Sequence, residues 1–192
     1  MIQSEIAPCL AGRQVSPLER ALVSNSSEIP NHRSKNIWKF FAAVTVISMV
    51  FLLSPAESSS ESTLTSESLM NLLNEGRREN GLDALRENTL LQKAAQAKAR
   101  HILANSYFAH TSPAGVEPWD FIKDTGLAYS FAGENLAINY TNSFELHNDF
   151  LASPSHRKNI MSEMFSEIGI AVVSGTYRGK HAVITVQMFA TP

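Results

Sequence analysis

Three short segments in the second half of the chain each carry a histidine or a glutamate beside small residues that are typical of turns. They are Phe108-Ala109-His110, Gly133-Glu134-Asn135 and Ser153-Pro154-Ser155-His156-Arg157-Lys158-Asn159-Ile160. Neutral imidazole and carboxylate are common ligands of zinc and similar ions, and they are also the common general acids and bases of enzymes. Because His110 and His156 are 46 residues apart, only the fold can bring them to one cleft.

The hydrophobic pattern predicts helices around these segments. A first helix should begin near Ser66 and end before Gly81. A second is expected over residues 89–105, with Asn88 as its N-cap, because one face collects Leu91, Ala95, Ala99 and Ile102. Shorter helices are predicted at residues 119–124, at 142–152, and from Ser153 to about Ser162.

Two strands are expected near the end of the chain. Residues 168–174 are almost continuously apolar, which is typical of a strand that is buried on both faces. Residues 182–189 are rich in β-branched side chains and should form its partner, with 175–179 as the hairpin loop. Helices packed around an antiparallel sheet make an α+β layer fold.

Composition excludes several classes of protein. The net charge is −2, and no cluster of Lys and Arg is interleaved with aromatic residues, so we expect no binding of nucleic acid. The isolated pairs Arg77-Arg78 and Arg157-Lys158 should be solvated. The chain has no Gly-rich phosphate loop, no nucleophile elbow and no H-E-x-x-H helix. Cys9 is the only cysteine, so the region after the apolar segment has no disulfide and no thiolate metal site.

An apolar segment at residues 37–56 decides the compartment of the residues that follow it. As a helix it would be about 30 Å long, the thickness of the hydrocarbon layer. Basic residues precede it and Glu57 and Glu61 follow it, so the positive-inside rule places the N-terminus in the cytoplasm. Two interpretations stay open: a signal anchor, favoured by the 36 preceding residues, or a signal peptide cleaved after Ala56. The domain would be extracytoplasmic and membrane-anchored in the first case, and secreted in the second.

These patterns divide the chain into four parts. Residues 1–36 form a polar segment that we expect to be disordered and cytoplasmic, and residues 37–56 form the anchor or signal peptide. Residues 57–66 form a linker rich in Ser and Glu, of a composition that favours flexibility. The remaining residues, 67–192, are enough for one folded domain with a sizeable core.

The three segments together resemble those of a known family. The order F-x-H, then G-E-N, then S-P-x-H-R-x-N-I, followed by a G-I-A-V strand, is similar to the bacterial branch of the CAP superfamily. This SCP-like family includes the cysteine-rich secretory proteins, insect antigen 5 and the plant pathogenesis-related proteins. The resemblance covers roughly residues 66–190 and implies an α-β-α sandwich, here preceded by one N-terminal apolar helix.

The resemblance also implies a site. In the family, the matching histidines and the G-E-N glutamate converge in an open cleft, which carries over to His110, Glu134 and His156. A second family glutamate corresponds to Ser153, so that carboxylate is missing here. His110 and His156 are therefore candidate ligands of a divalent, zinc-like ion, with a lower expected affinity. Asn135 is expected to line the cleft and to bond backbone, while Ser153 should also cap the following helix.

Three functions follow as hypotheses. The first is an extracytoplasmic binding domain whose cleft holds a divalent metal, a small lipid-like molecule or another small ligand. The second is a metal-assisted hydrolase or peptidase in which Glu134 would be the catalytic base. The third is a cell-surface module that contacts a cell-envelope component through other surfaces, with a vestigial cleft. We favour the first, because no nucleophile–base arrangement is evident and one family carboxylate is absent.

Overall fold

A computed structural model describes residues 2–8 and 63–192 of the chain. The predicted anchor at 37–56, which is also the predicted N-terminal apolar helix, lies outside the described residues, as does most of the linker at 57–66. Among the residues that are described, no helix is both long enough and apolar enough to cross a membrane.

The described residues form five helices and five strands. In chain order they are β1 (Ile2–Pro8), α1 (Ser66–Glu79), β2 (Arg86–Glu87), α2 (Thr89–Asn105), α3 (Pro118–Lys123), β3 (Phe131–Ile138), α4 (Ser143–Ala152), α5 (Pro154–Ile160), β4 (Glu167–Tyr177) and β5 (Lys180–Thr191). All five helices were predicted. Asn88 caps α2 as expected, since its side chain accepts hydrogen bonds from the backbone N–H groups of Leu90 and Leu91.

The strands form one mixed sheet in the order β1-β3-β5-β4-β2. Neighbouring strands are antiparallel, except that the short β2 runs parallel to β4. One face of the sheet packs against α2 and α3, through Ala132, Leu136, Ala171, Val186 and Met188. The other face packs against α1, α4 and α5, through Ala137, Ile168, Ile170 and Phe189. This arrangement of helices around a mixed sheet confirms the α+β fold class.

The largest difference from the sequence prediction is β3. Gly133-Glu134-Asn135 was expected in a turn, but it lies inside this strand, which pairs with β5 along its whole length. Gly133 is needed for close packing rather than for a turn: a Cβ there would come within 2.9 Å of Phe165 and 3.1 Å of Asn159. The strand therefore holds Glu134 and Asn135 on opposite faces of the sheet, because side chains alternate along a strand.

The turn between β4 and β5 and the strand β1 also differ from the sequence prediction. The hairpin between β4 and β5 is tighter than the predicted loop at 175–179, because Arg178 and Gly179 both adopt positive φ and close a two-residue turn. The strand β1 was not predicted at all; the rest of the predicted N-terminal segment, residues 9–36, lies outside the described residues.

Close packing of α2 on the sheet fixes the position of the segment that follows this helix. Ala94, Ala95 and Ala99 are fully buried against the sheet, as the alanine-rich face predicts. On the opposite side of the contact, a Cβ on Gly169 in β4 would lie 2.2 Å from backbone atoms of Leu91 and Gln92. The helix backbone therefore rests directly on the strand at this point.

Arg77 ties α1 to the end of α5. The prediction that the Arg77-Arg78 pair is solvated is wrong for Arg77, which is only 2% exposed. Its guanidinium donates hydrogen bonds to the backbone carbonyls of Asp83, Ile160 and Ser162, at 2.7 to 2.9 Å. Burial lowers the pKa of Arg77, and the nearby Asp83 opposes that shift.

Candidate functional site

His110 and Glu134 are in direct contact. Nδ1 of His110 lies 2.6 Å from Oε1 of Glu134. The side chain of Glu134 is completely buried, whereas that of His110 is 17% exposed. A carboxylate that accepts a hydrogen bond from Nδ1 fixes the tautomer and the orientation of an imidazole. The pair is therefore an oriented histidine with its supporting carboxylate beneath it.

Lys98 holds the segment that carries His110. This lysine is fully buried on α2. Its ammonium group donates hydrogen bonds to the carbonyl oxygens of Ala109 and His110 and to the hydroxyl of Tyr107, the last at 3.3 Å. A buried ammonium group is costly unless its protons are bonded, so these contacts fix the loop after α2.

Tyr107 extends this network toward α2. Its hydroxyl lies 2.9 Å from Nδ1 of His101. Burial, together with the charge of Glu134, raises the pKa of Tyr107 to about 12. The pKa of His101 is lowered, first by burial and then by the positive charge of Lys98. Both shifts favour the neutral forms of Tyr107 and His101.

His156 lies on α5 and is 2% exposed. Its Nδ1 is 2.6 Å from Oγ of Ser153, and its ring packs on Phe150, with centroids 5.1 Å apart. Ser153 occupies the N-cap position of α5, but its side chain makes no hydrogen bond to the helix backbone. The prediction that the Ser153 side chain caps α5 is therefore wrong, because its hydroxyl group contacts His156 instead.

Three buried amides link α5 to the middle of β3. Nδ2 of Asn159 donates to the carbonyl oxygen of Glu134 at 3.1 Å and to Oδ1 of Asn135 at 2.9 Å. Nδ2 of Asn135 in turn donates to Oε1 of Gln187 on β5 at 3.0 Å and to the carbonyl oxygen of His156 at 3.4 Å. These bonds agree with the expectation that Asn135 bonds backbone, and they fix the spacing between α5 and Glu134.

The structure thus brings His110 and Glu134 into direct contact and joins His156 to the same strand through backbone and amide hydrogen bonds. His110 contacts the Glu134 side chain on the α2 face of the sheet. His156 is connected to β3 through its own carbonyl group and through Asn159, on the α5 face. Their shared role as ligands remains a prediction. Glu167, the first residue of β4, contacts Arg86 and Asn88.

The fit of a divalent ion was tested on the same geometry. Within residues 2–8 and 63–192, no group of three or more His, Cys, Asp or Glu side chains is placed to hold a metal ion. Nδ1 of each candidate histidine already contacts a protein oxygen, which leaves Nε2 as the ligating atom of each ring. The arrangement does not fit a zinc site with three or four protein ligands.

A comparison with known families decides the identity of this fold. The model of the family described as "CAP: Cysteine-rich secretory protein family" matches residues 70–189, more than half of the chain. The chain belongs to the CAP family. The match includes all three segments from which the CAP resemblance was inferred, and His110, Glu134 and His156 lie inside it.

Similar proteins come from several bacteria. A CAP-type relative, "Uncharacterized protein YkwD" of Bacillus subtilis, is 35% identical over 105 residues, which are 55% of this chain and 41% of that protein. This chain therefore spans less than half the length of that relative. An extracellular protein with an SCP domain from Bacillus anthracis superposes with a TM-score of 0.57 at 25% identity, over 66% of this chain and 40% of that one.

A second similar structure, at under 25% identity, shows the fold alone. An outer surface protein of Borrelia burgdorferi has a TM-score of 0.59 and 24% identity, and the match covers 67% of this chain and 95% of that one. Its near-complete coverage indicates that the CAP fold of this chain is a whole unit in another protein.

Sequence reasoning missed two residues that position the site. Lys98 falls at i+7 from Leu91 and i−4 from Ile102, on the apolar face of α2, and a lysine on that face indicates a buried amine. Asn159 belongs to the third segment, but no role in positioning Glu134 was predicted for it. Its bonds to Glu134 and Asn135 have no counterpart in local sequence, because they join residues that are 25 and 24 positions apart.

Proposed function

We propose that this chain is an extracytoplasmic CAP-domain protein that binds a small ligand beside the His110–Glu134 pair. The observation that carries the proposal is the 2.6 Å contact between a histidine that remains 17% exposed and a carboxylate that is fully buried. Part of the imidazole ring is open to solvent, while the carboxylate fixes the orientation of the ring. A few polar groups held in fixed orientations are typical of small-molecule sites.

An open groove beside the F-x-H segment supports a partly apolar ligand. It has a volume of about 600 Å³ and is lined by Phe108, Ile138, Tyr140, Tyr177 and Arg178, among others. The three aromatic rings suit the apolar part of a ligand, and Arg178 and Glu145 offer one charge of each sign to its polar end. This chemistry agrees with the lipid-like ligand that the family resemblance implies.

Extracytoplasmic location is part of the proposal. The Bacillus anthracis match is described as an extracellular protein and the Borrelia burgdorferi match as an outer surface protein. The charge bias around residues 37–56 supports the same side of the membrane for residues 63–192, with 37–56 as the anchor. Protease added to intact cells should degrade the domain, and protection until lysis would contradict this placement.

Ligand binding is tested on the full chain, purified in mild detergent. Native mass spectrometry should detect a small molecule that co-purifies with the wild type and with His181→Ala, since His181 is exposed and belongs to no motif. The same molecule should be lost or strongly reduced in His110→Ala and in Tyr177→Ala. If His110→Ala and Tyr177→Ala retain it as well as His181→Ala does, the ligand does not bind at this site and the proposal fails.

Hydrolysis is a second candidate because a carboxylate-oriented histidine is also a general base. Burial of Glu134 argues that His110, rather than Glu134, would contact water. Turnover of a peptide or ester substrate should then be lost in His110→Ala and only reduced in Glu134→Gln, which keeps a hydrogen-bonding group in place. Equal turnover by the wild type and His110→Ala would exclude this function.

Binding of a divalent ion remains a prediction of the family resemblance. Two imidazoles with solvent as the remaining ligands would give weak binding, and an imidazole coordinates a metal only in its neutral form. Zinc calorimetry on the wild type, His110→Ala and His156→Ala checks this. Heat that is unchanged in both variants would show that the two histidines do not share an ion.

A further inference from the structure

The edge of the sheet next to the candidate site is covered by the first residues of the chain. β1 pairs antiparallel with β3 over seven positions, from Ile2 opposite Ala137 to Pro8 opposite Phe131. The sheet order shows that β3 would otherwise be an edge strand. The backbone of β3 therefore offers a complete row of hydrogen-bonding groups to an added strand.

This added strand lies beside the candidate site. In the register, Glu5 is directly opposite Glu134 and Ser4 is directly opposite Asn135. The helix α5, which carries His156, packs against β1. A strand in this position is therefore bounded by β3 on one side and by α5 on one face.

The position of β1 conflicts with the anchored topology. If residues 37–56 cross the membrane once, residues 2–8 and residues 131–138 lie on opposite sides of it. The β1–β3 ladder then cannot form within one chain, and the edge of β3 faces the extracytoplasmic side with its backbone groups exposed. An exposed edge of seven residues is a template for an extended peptide.

We infer that the edge of β3 is a binding site for an extended polypeptide, which pairs antiparallel with Phe131–Ile138 and takes the place of residues 2–8. The inference extends the proposed function, because the peptide would lie beside the His110–Glu134 pair and α5. Main-chain hydrogen bonds to β3 supply affinity in this mode of recognition, and residues at alternate positions supply specificity.

The register also predicts a preference. In the register, the position directly opposite the buried Glu134 belongs to residue 5. Opposite charges in directly opposite positions stabilise a pair of strands. A peptide with lysine at that position should bind more tightly than the sequence of residues 2–8, so the chain's own strand is a replaceable occupant.

The test uses the full chain in detergent and fluorescence anisotropy with labelled peptides. The first probe has the sequence of residues 2–8, Ile-Gln-Ser-Glu-Ile-Ala-Pro, and the second has lysine in place of its glutamate. Both should bind a variant that lacks residues 2–8 about 10-fold or more tightly than they bind the intact chain, because the edge is then open. The lysine peptide should bind about 3-fold or more tightly than the glutamate peptide.

Two controls test whether the peptide binds by pairing with β3 as a strand. A peptide with the same side chains but N-methylated at alternate residues cannot donate the main-chain hydrogen bonds, so its binding should be lost. In the variant Cys9→Ser, Pro8→Cys, Phe131→Cys, a disulfide between the two directly opposite positions should lock β1 in place. Oxidation should then block peptide binding and reduction should restore it, even if the shortened variant does not fold.

Several outcomes overturn the inference. Equal binding of the N-methylated peptide, or equal binding by the oxidised and reduced cysteine variant, would show that the peptide does not pair with β3. Absence of binding to both the shortened and the reduced variants would do the same. Because the bonds are to backbone, His110→Ala should keep peptide affinity within about 3-fold. If peptide binding is observed but no small ligand binds at His110, only the function proposed above is refuted. If the small ligand binds but the peptide does not, only this inference is refuted.

Discussion

Replacing Gly169 with alanine tests whether α2 rests directly on β4. The added methyl group would lie 2.2 Å from the backbone nitrogen of Gln92 and from the backbone carbon of Leu91. Ordinary van der Waals contact begins at 3.4 Å, so α2 must withdraw by about 1 Å. Neither backbone atom can rotate away as a side chain would, and the withdrawal also weakens the bond from the Ile170 N–H to Gln92 Oε1.

The size of the effect follows from these contacts. Overpacking of a well-filled core costs about 1–3 kcal/mol, and we take the upper end because the obstacle is backbone. The lower conformational entropy of unfolded alanine offsets at most about 1 kcal/mol. We therefore expect Gly169→Ala to lower the free energy of unfolding by about 2–3 kcal/mol. For a domain of this size, that corresponds to a fall in melting temperature of about 10 °C.

Gly175→Ala is the matched control on the same strand. Its added methyl group would meet Cδ1 of Leu103 at 2.8 Å, a side-chain atom that can change rotamer. Thermal unfolding of the full chain, followed by circular dichroism, should show a change below about 1 kcal/mol for this variant. A Gly169→Ala protein within about 0.5 kcal/mol of wild type would refute the packing argument, and so would an equal loss in Gly175→Ala.

Three more predictions concern buried polar groups. Arg77→Met should lower the free energy of unfolding by about 3 kcal/mol, because three carbonyls lose charged donors, whereas Arg78→Met, at an exposed neighbour, should change it by less than about 0.5 kcal/mol in urea unfolding. Lys98→Met should speed amide hydrogen exchange in residues 107–112, whereas the exposed Lys93→Met should leave it unchanged; equal exchange in both would contradict the role of Lys98. Burial lowers the pKa of His147, opposed by Glu75, so the stability that comes from its neutral form is present above the unfolded pKa of about 6.5 and is lost as pH falls below it. Unfolding at pH 7 and pH 5 should show this loss, and His147→Gln should reduce it.

The helices could be predicted because their signals are local. Asn88 and Asn142 both cap the helices that follow them, and apolar spacing sets the buried faces of α1 and α2. The continuous apolar run in β4 likewise predicted a doubly buried strand. Each of these elements is determined by residues a few positions apart, which is what periodicity detects.

β3 and β1 could not be predicted because long-range contacts determine them. Gly133, Glu134 and Asn135 look like turn residues, yet all three are buried, since Phe165, His110 and Asn159 pack or bond with them from distant parts of the chain. β1 has no strong alternation of its own, and its strand form depends on pairing with β3. Motif matching placed His110 near Glu134, but it could not show that Ser153 bonds His156 rather than the helix backbone.

The side-chain amides around β3 hold the geometry of the site through groups that carry no charge. Asn135, Asn159 and Gln187 hold Glu134 and α5 through groups that do not ionise between acidic and alkaline pH. The spacing between Glu134 and α5 therefore does not depend on the ionisation of any of these three side chains. A change of pH can alter the ionisable groups around the site while these amide hydrogen bonds stay in place.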